Sequence, residues 1–135
     1  MKFILTLATL LFISSSILAQ TPEELAQQQL DAYNNRDIEA FLVPYSDTVK
    51  IYDFPKVLSM QGKEAMRETY SGMFDRIPEL NCELKNRIVS GNTVIDHESI
   101  FIQASQPKIE AIAIYKMSNG KIQEVYFMSP ELYQQ

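Results

Sequence analysis

The chain has 135 residues, with 12 Lys and Arg against 17 Asp and Glu, one His, one Cys and no Trp. That is one domain's length, and a net charge of −5 argues against nucleic acid as partner, since phosphate binding needs clustered Lys and Arg. One Cys makes no internal disulfide, one Cys with one His builds no zinc site of the usual kind, and the four glycines (Gly62, Gly72, Gly91, Gly120) lie too far apart for a phosphate-cradling loop.

Lys2 precedes an apolar run from Phe3 to Ile13 that only Thr6 and Thr9 interrupt, and Ser14 to Ser16 then lead to Ala19. A short basic start, an apolar stretch too short to span a bilayer and a small residue at the exit predict a secretory signal over residues 1–19, cut after Ala19. No Cys stands at that point, so a lipoprotein is excluded. The expectation is an exported protein, periplasmic or secreted, with no stable membrane anchor and one domain over residues 20–135. Cys82 is then either a buried small hydrophobe or an exposed thiol able to bridge two chains.

Thr21-Pro22-Glu23-Glu24 opens a helix, with Thr as N-cap, Pro in the first turn and Glu closing a capping box. Ala26, Leu30 and Tyr33 follow on one face. Asn34-Asn35-Arg36 breaks the run, and Asp37 caps a short second helix through Ile38, Ala40, Phe41 and Leu42 that Pro44 ends. Thr48 to Asp53 reads as a strand, with Val49, Ile51 and Asp53 on one face, stopped by Pro55. A third helix follows Gly62, where Met66, Tyr70, Met73, Phe74 and Ile77 share a face, and Pro78 ends it.

The remainder is strand. Leu80–Val89 and Thr93–Ile102 flank Ser90-Gly91-Asn92, and Ile109–Met117 and Lys121–Met128 flank Ser118-Asn119-Gly120, where Asn-Gly is a strong hairpin signal. Helices first and strands last, in the order α, α, β, α, β, β, β, β, predict an α+β fold with helices on one face of a curved, mixed sheet.

This order, at this length, resembles the nuclear transport factor 2-like superfamily, and within it the SnoaL-like and steroid-isomerase-like proteins. The resemblance rests on Tyr33-Asn34-Asn35-Arg36-Asp37 with Phe41, on Asp47 to Pro55, on Gly62-Lys63-Glu64-Ala65-Met66 and on Ala113 to Ile122. It implies a cone-shaped curved sheet wrapped around the N-terminal helices, an apolar pocket inside the cone, and a homodimer packed through the outer sheet face. The superfamily hosts isomerases, cyclases, dehydratases and hydrolases, so its fold does not name a reaction.

The resemblance also points to Asp53, because in the steroid-isomerase branch an acid at the end of this strand is the general base. If Val49 and Ile51 face inward, Asp53 does too, and burial would raise its pKa towards a range useful for proton transfer. The alternative is an ordinary strand-end Asp bonding to the turn before Pro55. His97 is the second candidate: alternation puts it with Ile95, Ser99 and Phe101, and an inward His97 could shuttle a proton with an acid. Val94, Ile100 and Ile102 pull the other way, and in the opposite register Glu98 or Asp96 becomes the inward acid. Tyr33, Tyr70, Phe74, Ile112, Ile114 and Phe127 are the expected pocket or core lining, whereas the parity of Tyr52 and Tyr115 puts them on the outer face.

The steroid-isomerase branch uses a Tyr and a protonated Asp as oxyanion donors. Gln29 and Ile112 stand near those positions here, which argues against that reaction. No residue cluster implies a cofactor or a metal. The sequence therefore predicts a small, mostly apolar molecule held in a cone, with acid–base chemistry of the isomerase or cyclase type through Asp53 and His97. The competing readings are a non-catalytic carrier or sensor and a dimerisation module.

Overall fold

The computed structural model describes residues 18–129. The expected signal segment lies outside the described residues except for Leu18 and Ala19. Two helices, α1 (Pro22–Asn34) and α2 (Ile38–Leu42), precede strands β1 (Tyr45–Asp53) and β2 (Val57–Gln61). Helix α3 (Lys63–Arg76) is followed by β3 (Asn81–Ser90), β4 (Thr93–Phe101), β5 (Ile109–Ser118) and β6 (Lys121–Met128). Among the described residues no helix is long and apolar enough to cross a membrane.

The helix starts follow their caps. Thr21 accepts from the Glu24 amide while the Glu24 carboxylate accepts from the Thr21 amide, completing the capping box. Asp37 does the same for the Ala40 amide at the head of α2. The β5–β6 turn places Asn119 and Gly120 at φ 52° and 69°, the left-handed pair that a two-residue hairpin requires.

The six strands form one curled, unclosed sheet in the order β2-β1-β6-β5-β4-β3. Among the described residues only β1 and β6 pair in parallel; their register sets Ile51 beside Val125 and Asp53 beside Phe127. The helices pack on the concave face, where Leu25, Phe41, Met66, Leu80, Val94, Ile122 and Val125 form the buried core. Strand β2 is the element absent from the sequence reading. It is short, mostly exposed and lies at the sheet's edge, so it carries neither alternation nor an apolar run.

The opposite edge, β3, is closed by a side chain. Asn34, the last residue of α1, donates its Nδ2 to the Cys82 carbonyl (2.9 Å) and accepts the Cys82 amide at Oδ1 (2.7 Å). Its amide thus stands in for a neighbouring strand and satisfies both edge groups of one residue. Arg36 adds a bond to the Leu80 carbonyl at 3.0 Å. Replacing Asn34 by Ala leaves a backbone donor and acceptor unpaired beside the core, and should lower stability by about 2 kcal/mol, measured as a shift of the urea midpoint at unchanged slope. An unchanged midpoint would show that solvent serves this edge equally well.

Candidate functional site

A cavity of about 250 Å³ lies between the concave sheet and the helices. Helix α1 contributes Gln29, Leu30 and Tyr33, α2 contributes Phe41, and α3 contributes Thr69, Tyr70 and Met73. The sheet contributes Tyr45, Cys82, Glu98, Ile100, Tyr115 and Phe127. Tyr33, Phe41 and Tyr70 pack with ring centroids 4.7 to 6.4 Å apart. The wall is therefore aromatic, and its polarity comes from a few hydroxyls, one amide, one thiol and one carboxyl.

These polar groups form a directed chain. The Tyr45 hydroxyl donates to Gln29 Oε1 (3.2 Å), Gln29 Nε2 donates to the Tyr115 hydroxyl (3.0 Å), and Tyr115 donates to Glu98 Oε1 (3.1 Å). Ala111 stands opposite Glu98 in the β4–β5 register, and Ala113 is the next inward residue towards Tyr115. Small side chains there leave the phenol a clear line to the carboxyl.

Burial pushes the Glu98 carboxyl up from its ordinary 4.5 to about 7, and the negative charge of Asp96 adds to the rise. Hydrogen bonds from Tyr115 and Cys82, with the charge of Arg87, act in the opposite direction and do not cancel it. Burial also pushes the Cys82 thiol and the four phenols up, Tyr70 to about 12, so all of them remain protonated donors at neutral pH. Asp96, fully buried, has a different partner: Arg87 Nε and Nη2 meet its two oxygens at 2.7 and 2.8 Å, and Arg87 Nη1 donates to Gln27 of α1 at 2.9 Å. β4 thus buries two acids, one against a guanidinium and the other against neutral donors facing the cavity.

The model of the SnoaL-like domain matches residues 26–125. The chain belongs to the SnoaL-like family. No curated protein matches it in sequence. An uncharacterized cystatin-fold protein from Novosphingobium aromaticivorans superposes with a TM-score of 0.74 at 22% identity, over 81% of this chain and 98% of that one. An NTF2-like protein of unknown function from Cytophaga hutchinsonii gives 0.70 at 15% identity, over 86% and 96%. A protein provisionally assigned as a SnoaL-like polyketide cyclase, from Jannaschia sp. CCS1, gives 0.68 at 13%, over 88% and 92%. At these identities the likeness establishes the fold: a mixed α+β cone of the nuclear transport factor 2-like type.

Within this SnoaL-like cone the residues singled out by sequence divide. Tyr33, Tyr70 and Phe127 line the cavity, and Phe74 sits behind them in the core, 5.5 Å from the Tyr33 ring. Asp53 ends β1 beside Phe127, half-buried, and is not among the residues lining the cavity. His97 turns outward: its side chain is 46% exposed and its Nε2 lies 2.8 Å from Glu110 Oε2. Asp53 and His97 are therefore not brought together around a ligand. Ile112 and Ile114 also lie on the outer face, and Tyr115, expected outside, is buried inside it, while Tyr52 does stack on Tyr126 outside at 4.8 Å.

The cause of the reversal is the same on both strands. The inward face of β5 carries Ala111 and Ala113 with Tyr115 and Met117, and that of β4 carries Asp96 and Glu98 between Val94 and Ile100, so Ile112, Ile114 and Ile95 lie outside. Among the described residues, no group of three or more His, Cys, Asp or Glu could hold a metal ion.

Native Glu98 holds a proton between pH 4.5 and 7 that the unfolded chain has released. Stability should therefore fall as pH rises through that window, by about 3 kcal/mol in all. Chemical denaturation from pH 4.5 to 8 should show this slope in the wild type and its loss in Glu98→Gln. Parallel profiles for the two proteins would place the Glu98 titration in the ordinary carboxylate range.

Proposed function

We propose that this SnoaL-like protein binds a small, mostly apolar molecule in the cone and that Glu98 exchanges a proton with it. The observation that carries this reading is a buried carboxyl with a pKa near neutrality, facing an otherwise aromatic cavity. A general acid–base works best when its pKa lies near the operating pH. Tyr115 orients the Glu98 carboxyl, Gln29 and Tyr45 orient Tyr115, and the Tyr33 and Tyr70 hydroxyls lie outside that chain and remain for the ligand. The Jannaschia neighbour's provisional assignment as a cyclase supports acid–base chemistry in a cone of this kind.

Export and self-association belong to the same proposal. The Lys2 start, the apolar run and Ala19 support cleavage at that residue. Half-buried Ile112 and Ile114, beside the stacked Tyr52 and Tyr126 on the outer sheet face, support a second copy packing there.

Native mass spectrometry of protein from its own host tests these points together. The expected species is a dimer of chains beginning at Gln20, with one small molecule per subunit. Phe127→Trp, which places a larger ring in the cavity, should lose the small molecule, whereas Glu98→Gln keeps the shape of the cavity and should abolish the proton exchange. With that molecule identified, its affinity or turnover should follow a single ionisation near pH 7 in the wild type and none in Glu98→Gln. A profile unchanged by Glu98→Gln would overturn the role of the carboxyl, and a ligand retained by Phe127→Trp would overturn the site.

A further inference from the structure

The sign of the charge inside the cone limits what can enter it. Six of its thirteen lining side chains are aromatic: Tyr33, Phe41, Tyr45, Tyr70, Tyr115 and Phe127. Glu98 is the one carboxyl among them, and the lining holds no Lys, Arg or His. Arg87, whose charge reaches Glu98 from β3, is engaged bidentately by Asp96 and by Gln27, so it is not available to a ligand. Asp96 adds its own negative charge behind Glu98, and the whole chain is acidic.

The groups facing Glu98 from the packed elements are all neutral donors or acids. Cys82 comes from β3, Tyr115 from β5, Tyr33 from α1, Tyr45 from β1 and Tyr70 from α3. None of them can serve as counter-ion to the ionised carboxylate. An anionic ligand would meet this potential with no free cation in the lining to pair with. A positive group meets the carboxylate and the electron-rich aromatic rings together, the arrangement by which proteins hold organic ammonium ions.

We propose that the cone takes a small apolar molecule bearing an amine, bound as the ammonium ion against Glu98. This rests on the reading of the cavity as a ligand site and names its ligand class. A neutral amine that enters while Glu98 is protonated takes its proton: the carboxyl O–H bond breaks, an N–H bond forms, and an ammonium–carboxylate pair results with no change in total charge. An amine that arrives already protonated binds the ionised carboxylate, and a protonated Glu98 releases its proton to solvent.

The test compares two molecules of one shape, benzyltrimethylammonium and its uncharged carbon isostere neopentylbenzene, by titration calorimetry on the wild-type protein at pH 8. The expected result is at least about tenfold tighter binding of the cation, although the isostere is the more apolar. At pH 7 the cation should release about half a proton per site, read from the dependence of the heat on buffer ionisation, and at pH 9 almost none. Glu98→Gln should lose the cation preference and keep the isostere. Equal or tighter binding of the isostere to the wild type would overturn the amine and leave the cavity standing as a ligand site. Failure of both molecules to bind would overturn the ligand site itself.

Discussion

The concave face of the sheet buries two acids two residues apart on one strand, and much of the interior follows from how each is compensated. A buried carboxylate must find a partner or take up a proton. Asp96 finds a guanidinium with bidentate geometry, which Gln27 of α1 holds in place. Glu98 finds a phenol and a thiol, which donate hydrogen bonds and bring no charge. Two carboxyls in neighbouring positions are thereby given different work: one ties a strand to a helix, and the other titrates inside the cavity.

Helix α1 is the element that makes both arrangements hold. It runs antiparallel to β3, so Gln27 meets Arg87 while Asn34, seven residues on and on the same side, meets Cys82. Its adjacent face turns Gln29, Leu30 and Tyr33 into the cone. Gln29 is buried and uses both ends of its amide, accepting from Tyr45 and donating to Tyr115. An amide is suited to this place because it both accepts and donates. A tyrosine there, as the steroid-isomerase pattern would have it, would have to accept and donate at a single oxygen, whereas the Gln29 amide accepts at Oε1 and donates from Nε2, two separate atoms. The departure from that pattern is thus part of a different polar network.

The elements were largely legible in the sequence because local chemistry decides them. Thr21 and Asp37 start helices, and Asn119-Gly120 turns a hairpin, whatever the rest of the chain does. The facing of the central strands was not legible, because it depends on partners far away in sequence. On β4 hydropathy is divided between the two faces, Ile95 and Phe101 against Val94, Ile100 and Ile102, and on β5 it turns Ile112 and Ile114 inward. What decides the facing is the supply of compensating groups from α1, β3 and β5, together with Ala111 and Ala113, whose small size leaves room inside. The opposite register, in which Glu98 becomes the inward acid, was open in the sequence, and the Arg87–Asp96 pairing decides in its favour.

The same reversal explains why the sequence pointed to Asp53 and His97 while the structure favours Glu98. Asp53 was carried by a family position and by the burial expected if it faced inward with Val49 and Ile51, and His97 by its chemistry as a residue type; the structure leaves Asp53 half-buried and off the cavity lining, and gives the low-dielectric place to Glu98. His97 lies on the outer face beside Glu110, with water close at hand. Glu98, one residue away, has a relative exposure of 4% and a chain of three side chains fixing the proton on its partner. Adjacent residues on a strand point to opposite faces, so a single step in register separates a solvated surface pair from the one acid in the cone whose proton a ligand can reach.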